Sequence, residues 1–357
     1  YFNTYKVENM NSMFYNCKSL TSLNLEFSNF DTYRVTDMGS MFYGCIKLSS
    51  LSIYNYYFRS NYLENTSKMF YSCEMLEYIN FHSNFNTMKV KYMDNMFYNC
   101  KKLNYLELNY FRTSNVETME CMFCGCAKIG YININSNYFI TSSVRTMKKM
   151  FENCNSLTSL YLNYFQTQNV NDMSYLFSGC YSLTSLYLYN FNTQNVINMD
   201  HMFYYCLKIT SLDISPLNTA KVNNMNYIFG YCKNLEHIDL TNFNTNSAEF
   251  MEGMFYYCSK LTSINLSKFN TLSATTMKRM FNGCYNLTSV DLKLFRTDNV
   301  KDMSFMFCNC TSFIRLDISN FNTGKVSNMQ SMFESCEILT TLDLSNFNTN
   351  SVDSMVS

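Results

Sequence analysis

Tryptophan is absent from this 357-residue chain, proline occurs once and glycine nine times. So few of the residues that punctuate loops fit a chain built from repeated regular elements. Net charge is missing as well, with 27 Lys plus Arg against 27 Asp plus Glu. That balance removes the basic footprint of a nucleic-acid binder and the polybasic anchor of a membrane-surface protein. No apolar run approaches the roughly 20 residues that a bilayer-spanning helix needs. The three histidines, His82, His201 and His237, stand in different repeats and registers, with no nucleophile or ligand set around them. Phosphate-binding glycine patterns are absent too. The chain reads as non-enzymatic and without a resident cofactor.

What the chain has is a repeat. Cys17, Cys45, Cys73, Cys100, Cys126, Cys154, Cys180, Cys206, Cys232, Cys258, Cys284, Cys310 and Cys336 recur at intervals of 28, 28, 27, 26 and 28, and then at seven intervals of 26. A fixed period of this length marks a solenoid, in which each unit buries its apolar face on its neighbours. The unit from Leu183 to Lys208 supplies the apolar frame Leu183, Leu186, Leu188, Phe191, Val196, Met199, Met202, Phe203 and Cys206. Each of these side chains gains roughly 1.5–3 kcal/mol on burial, whereas ordering each backbone residue costs about 1–2 kcal/mol. One unit loses that contest, and a stack wins it. With no linker or composition break, residues 1–357 read as a single array of about thirteen repeats. Both ends fall in mid-repeat, so the chain reads as a segment of a longer polypeptide.

Within the unit, L-x-x-L-x-L alternates with period two and predicts a short strand, thirteen in all, with successive copies paired in parallel. The following V-x-x-M-x-x-M-F-x-x-C spaces apolar residues like one face of a helix. Between them, F-N-T places a Thr where a helix N-cap would stand and an Asn able to bridge successive turns. The expected fold is an α/β repeat solenoid, a curved leucine-rich-repeat array with parallel strands on its concave face and short helices on its convex face. Extra residues in the longer N-terminal repeats fall at one edge.

The string LTSLDLSNFNTNSV near the C-terminus, with N-M-x-x-M-F-x-x-C ahead of each strand, resembles the BspA-like leucine-rich repeats of bacterial and protist surface proteins. The resemblance spans essentially the whole chain; Thr66 in place of Met and Leu217 in place of Phe are local departures. It implies a secreted or cell-surface protein acting in adhesion, and a protein or glycan ligand bound through concave and edge surfaces.

Four surface features bear on partners. Tyr78, Tyr105, Tyr131, Tyr161 and Tyr187 occupy the strand segments of five consecutive repeats, flanked in the edge loops by Tyr110, Tyr138, Tyr164 and Tyr189. Tyrosine offers rigid contact area with a polar tip, the composition of a recognition surface; strand propensity is the bland alternative. Farther on, the strand column becomes Asp213, Asp239, Asn265, Asp291, Asp317 and Asp343. Like charges on adjacent strands repel, so either hydroxyls and water screen them or a calcium ion sits among them. On the other side, Tyr204, Tyr205, Tyr231, Tyr256 and Tyr257 form a strip that either serves as a contact between copies of the chain in a filament or coat or packs half-buried. Last, sixteen Cys minus the thirteen of the column leaves Cys121, Cys124 and Cys308. The column reads as packed, reduced thiols, and Cys121 and Cys124 as an outward pair one turn apart, free, joined in a local disulfide or holding a metal ion.

Overall fold

The computed structural model describes residues 3–25, 30–53, 57–81, 83–134 and 136–356. His82 therefore lies outside the described residues, as do residues 26–29, 54–56 and 135 of the edge insertions. The chain forms two compact units, the first Tyr1–Val170 with Gly179–Phe191 and the second Asn171–Ser178 with Asn192–Ser357. Each is a stack of coils joined by parallel backbone pairing.

The first unit carries six strands in three parallel pairs: β1 (Ser22–Asn24) with β2 (Ser50–Ser52), β3 (Tyr105–Glu107) with β4 (Tyr131–Asn133), and β5 (Ser159–Tyr161) with β6 (Ser185–Tyr187). The second carries one pair, β7 (Ser211–Leu212) and β8 (His237–Ile238). Among the described residues, then, eight short strands form where thirteen are expected. Elsewhere the strand segments keep a single ladder bond, as where Thr340 N–H donates to Ile314 O at 3.1 Å, too few for a regular strand. Parallel pairing in register holds at all four pairs. Leu106 pairs with Ile132 and Leu160 with Leu186, each buried.

The expected helices do not form. Among the described residues there is no α-helix, and so none long and apolar enough to cross a membrane. Residues 38–45 show why. Met41 N–H donates to Met38 O, Tyr43 N–H to Ser40 O and Cys45 N–H to Phe42 O, all i to i−3. The intervening amides leave the coil: Ser40 N–H donates to Ser67 O at 2.9 Å, Phe42 to Met69 O at 2.9 Å and Gly44 to Tyr71 O at 2.7 Å. Half the donors an α-helix would use are spent on the next repeat. Ser40 (φ 54°) and Gly44 (φ 69°) also take the left-handed conformation, which interrupts a right-handed helix and suits a type II turn. The segment is a run of tight turns that presents the same i, i+3 apolar face. Ahead of it runs a second parallel ladder, Asn9–Asp37–Asn65–Tyr92–Thr118–Thr146 in the first unit and Asp172–Asn198–Asn224–Phe250–Thr276–Asp302–Asn328–Ser354 in the second.

The F-N-T threonines are therefore not helix caps. Those from Thr4 to Thr323 are buried, and they tie repeat to repeat. Thr219 Oγ1 donates to Asn244 O at 2.7 Å and accepts Asn244 N–H at 2.7 Å; Thr245 does the same with Asn270 at 2.8 and 2.9 Å. The preceding Asn mostly closes a local turn, as when Asn244 Oδ1 accepts Asn246 N–H.

Core columns fill each stack. Phe14, Phe42, Phe70, Phe97, Phe123 and Phe151 stack at 5.3–5.9 Å in the first unit, and Phe177 to Phe333 at 5.6–5.9 Å in the second. The column cysteines are free thiols, most of them buried. From Cys45 onward each Sγ donates to the carbonyl of a Phe one repeat back: Cys126 to Phe97 O at 3.1 Å, Cys232 to Phe203 O at 3.2 Å. Burial pushes Cys126, Cys180, Cys232 and Cys284 up to about 12.

Candidate interaction surface

The strand segments position the tyrosines of the first unit. A residue on either side of a buried strand residue points to solvent, and both sides are used. Tyr78, Tyr105 and Tyr131 precede Ile79, Leu106 and Ile132, whereas Tyr161 and Tyr187 follow Leu160 and Leu186. The single column expected from the sequence is thus two columns, offset by two residues or about 6.6 Å along the strand. Tyr105 and Tyr131 stack at 5.7 Å and 12°, Tyr161 and Tyr187 at 5.5 Å and 14°, and Tyr187 meets Tyr189 at 5.9 Å. Each ring of a pair covers one face of the other, so edges and hydroxyls make up much of what solvent meets. Tyr78 at 54 %, Tyr110 at 53 % and Tyr189 at 65 % exposure are the most open; Tyr105, Tyr131, Tyr138, Tyr161 and Tyr164 are also exposed.

Polar groups are interleaved. Tyr105 Oη donates to Glu107, which also accepts Asn133 Nδ2 from the paired strand. That carboxylate, helped by burial, pushes the Tyr105 phenol up to about 12. Tyr78 borders a depression of about 320 Å³ beside β1 and β2. At the edge, Arg112 lies 5.1 Å over the Tyr138 ring, a cation–π contact that orients it.

Sequence reasoning missed a groove of about 790 Å³ on the same unit, lined by Glu64, Lys89, Lys91, Asn115, Glu117, Ser143, Arg145 and Asn169. Its floor alternates in charge because Glu64, Lys91, Glu117 and Arg145 each follow the buried Leu or Val of their repeat. The backbone joins them in order, Lys91 N–H donating to Glu64 O, Glu117 to Lys91 O and Arg145 to Glu117 O, at 2.8–2.9 Å. Lys91 Nζ also pairs with Glu64 at 3.0 Å. Alignment of that one register would have shown the alternation.

In the second unit, Tyr204, Tyr205, Tyr231, Tyr256 and Tyr257 come together but turn toward one another. Tyr205 stacks on Tyr231 at 4.2 Å and Tyr231 on Tyr257 at 5.1 Å, with Tyr204 and Tyr256 edge-on between them. All five are half-buried, and burial pushes Tyr204 up to about 12. The turn geometry places Tyr205 (φ 60°), Tyr231 (φ 56°) and Tyr257 (φ 55°) in the left-handed region, where a bulky residue is uncommon. The aspartates of this unit are exposed, and each closes its own turn. Asp213 Oδ1 accepts Ser215 N–H, Asp239 Thr241, Asp291 Lys293, Asp317 Ser319 and Asp343 Ser345. Those donors hold Asp239, Asp317 and Asp343 below the usual carboxylate range. Cys121 and Cys124 do not face outward as expected; both are free thiols, 8 % and 5 % exposed.

Parallel coils of 26–28 residues, a buried F-N-T threonine and a thiol column carry the family pattern. The family described as Mycoplasma protein of unknown function, DUF285, matches residues 1–81, 64–187, 184–290 and 275–357 in overlapping copies. The chain belongs to this DUF285 family. Its repeats are BspA-like leucine-rich repeats, as the sequence resemblance indicated. A leucine-rich repeat protein from Bacteroides ovatus has a similar structure, with 17 % identity, a TM-score of 0.51, and coverage of 94 % of this chain and 82 % of that one. A leucine rich cell surface protein from Faecalibacterium prausnitzii aligns at 16 % identity and a TM-score of 0.49, covering 94 % and 83 %. At 17 % identity the Bacteroides ovatus likeness carries the leucine-rich-repeat fold alone. None of the curated proteins compared matches the chain.

Proposed function

We propose that this DUF285 array is a non-enzymatic recognition module that acts outside the cell or at its surface, binding a partner through the strand-face and edge tyrosines of the first unit. The observation that carries this reading is the run of exposed tyrosines from Tyr78 to Tyr189, interleaved with Glu107 and Asn133. A soluble domain gains nothing in stability by exposing so many large rings, and such clusters are the usual makings of a contact surface. Stacking within the Tyr105–Tyr131 and Tyr161–Tyr187 pairs covers ring faces that a sugar would lie against, which favours a polypeptide over a glycan.

The test is binding of the intact chain to immobilised extracellular-matrix proteins and to a glycan array. Tyr105→Ala with Tyr161→Ala is expected to abolish any protein signal with an unchanged melting curve. Undiminished binding by that folded variant would remove these tyrosines from the site, and a signal confined to glycans would reverse the choice of partner. Self-assembly through Tyr204, Tyr205, Tyr231, Tyr256 and Tyr257 has less support, because those rings are largely occupied with one another.

A further inference from the structure

Cys121 and Cys124 stand apart from the thiol column, in one tight turn closed by Cys124 N–H donating to Cys121 O at 3.2 Å. Left-handed residues, Cys121 (φ 54°) and Gly125 (φ 77°), bracket the turn. The turn holds the two cysteines three residues apart on one closed loop of backbone. The stacking register then fixes what they face. Cys121 N–H donates to Lys148 O at 3.0 Å and Gly125 N–H to Glu152 O at 2.7 Å, so Lys149 stands beside Cys121 and Glu152 beside Cys124. Cys124 Sγ lies 3.3 Å from Glu152 Oε2, and Lys149 Nζ lies 3.4 Å from the same oxygen. A dithiol therefore faces an acid–base pair one repeat away.

We propose that Cys121 and Cys124 are a redox-active dithiol that undergoes reversible exchange with a low-molecular-weight disulfide, Cys121 attacking, Cys124 resolving and Glu152 accepting the proton. The Cys121 thiolate attacks one sulfur of the disulfide. A mixed disulfide forms, and the expelled thiolate takes up the proton that Cys121 lost. Cys124 passes its proton to Glu152 and attacks Cys121 Sγ, closing the intrachain bond. The second thiolate leaves and takes the proton from Glu152. Two protein thiols are oxidised by two electrons, and one disulfide is reduced to two thiols. The electrostatics follow the division of labour that such exchange requires. The neighbouring Cys124 thiol lowers the Cys121 pKa, assisted by the Lys149 cation, while the Cys121 thiol, burial and Glu152 raise Cys124. The slight exposure of Cys121, 8 %, suits a small disulfide rather than a folded protein.

The chain contains its own control. Cys308 occupies the register of Cys124, with Glu334 one repeat on and Cys308 Sγ 3.8 Å from Glu334 Oε2. The register of Cys121 is filled there by Phe305, so Cys308 has no second thiol to resolve a mixed disulfide.

The experiment treats the reduced, intact chain with glutathione disulfide, quenches with acid and alkylating agent, and maps peptides by mass spectrometry. A Cys121–Cys124 disulfide is expected to form roughly tenfold faster than any adduct on Cys308, and to revert with dithiothreitol. Cys124→Ser should trap glutathione on Cys121, Cys121→Ser should abolish the reaction, and Glu152→Gln should let the mixed disulfide accumulate in the otherwise native chain. Serine already fills these registers at Ser12, Ser40 and Ser178, so both serine variants are expected to melt with the parent. The proposal fails if Cys121 and Cys124 react no faster than Cys308, or if folded Cys124→Ser traps nothing on Cys121.

Discussion

Replacing Thr245 with valine keeps the shape of the side chain and removes only its hydroxyl. That hydroxyl is fully buried, donating to Asn270 O at 2.8 Å and accepting Asn270 N–H at 2.9 Å. Valine leaves both backbone groups without their partner. A buried polar group stripped of its hydrogen bond costs about 1–3 kcal/mol. Asn270 is only half-buried, so water recovers part of the loss, and the expected destabilisation is about 2 kcal/mol. Thr245→Ser keeps both bonds and gives up one methyl, worth about 0.8 kcal/mol. Denaturant unfolding of the parent and both variants should therefore rank parent above serine and serine above valine, and hydrogen exchange should show faster opening at the Asn270 amide in the valine variant. A valine variant as stable as the parent, or more stable than the serine one, would refute the assignment of this column as the polar tie between repeats.

Gly253→Ala tests the turns. At φ 56° any Cβ is strained, and here it would fall 2.2 Å from Cε1 of Tyr227, so a loss of at least about 2 kcal/mol in chemical unfolding is expected. The thiol column predicts alkaline weakness. Cys126, Cys180, Cys232 and Cys284 have folded values of about 12 against about 9 for an ordinary thiol, so their contribution is complete below pH 9 and is lost as pH rises from there toward 12. Each should lose about 1.4 kcal/mol per pH unit in that window; thermal melts between pH 7 and 10 read it, and Cys232→Ala should flatten the slope for the second unit.

The repeat, the core columns and the strand segments were legible because burial imposes residue type at every period. The turns were not, because apolar spacing at i and i+3 is shared by a helix face and by a run of turns closed at i to i−3. What separates them is the residue before each Cys. It is Gly or Asn in eight of thirteen repeats, among them Gly44, Asn99, Gly125 and Asn153, and every one has positive φ. Such residues are the usual occupants of left-handed positions. The tyrosine surface was legible by residue but not by register, since one strand position on either side of a buried leucine reaches solvent. The groove over Glu64, Lys91, Glu117 and Arg145 escaped because its signal is a sign alternation in one column, visible only when that column is aligned by itself.

The left-handed tyrosines show how the array tolerates variation. An L-residue in that conformation costs roughly 1–2 kcal/mol, and Tyr205, Tyr231 and Tyr257 each carry that cost. A stacked or edge-on aromatic pair returns about 0.5–1.5 kcal/mol beyond its burial. Tyr231 contacts four rings, those of Tyr204, Tyr205, Tyr256 and Tyr257, so the cluster offsets its own strain where an isolated tyrosine could not. The same logic separates columns that hold the fold from columns free to change. Thr245 and Cys232 answer to a backbone group one repeat away, which leaves them no alternative partner. The Tyr161 side chain instead stacks on the Tyr187 ring, and no ladder bond runs through it, so it can be exchanged without breaking a ladder. The recognition and thiol exchange proposed above both use the second kind of column, and a substitution there should alter what the array binds or exchanges before it alters whether the array folds.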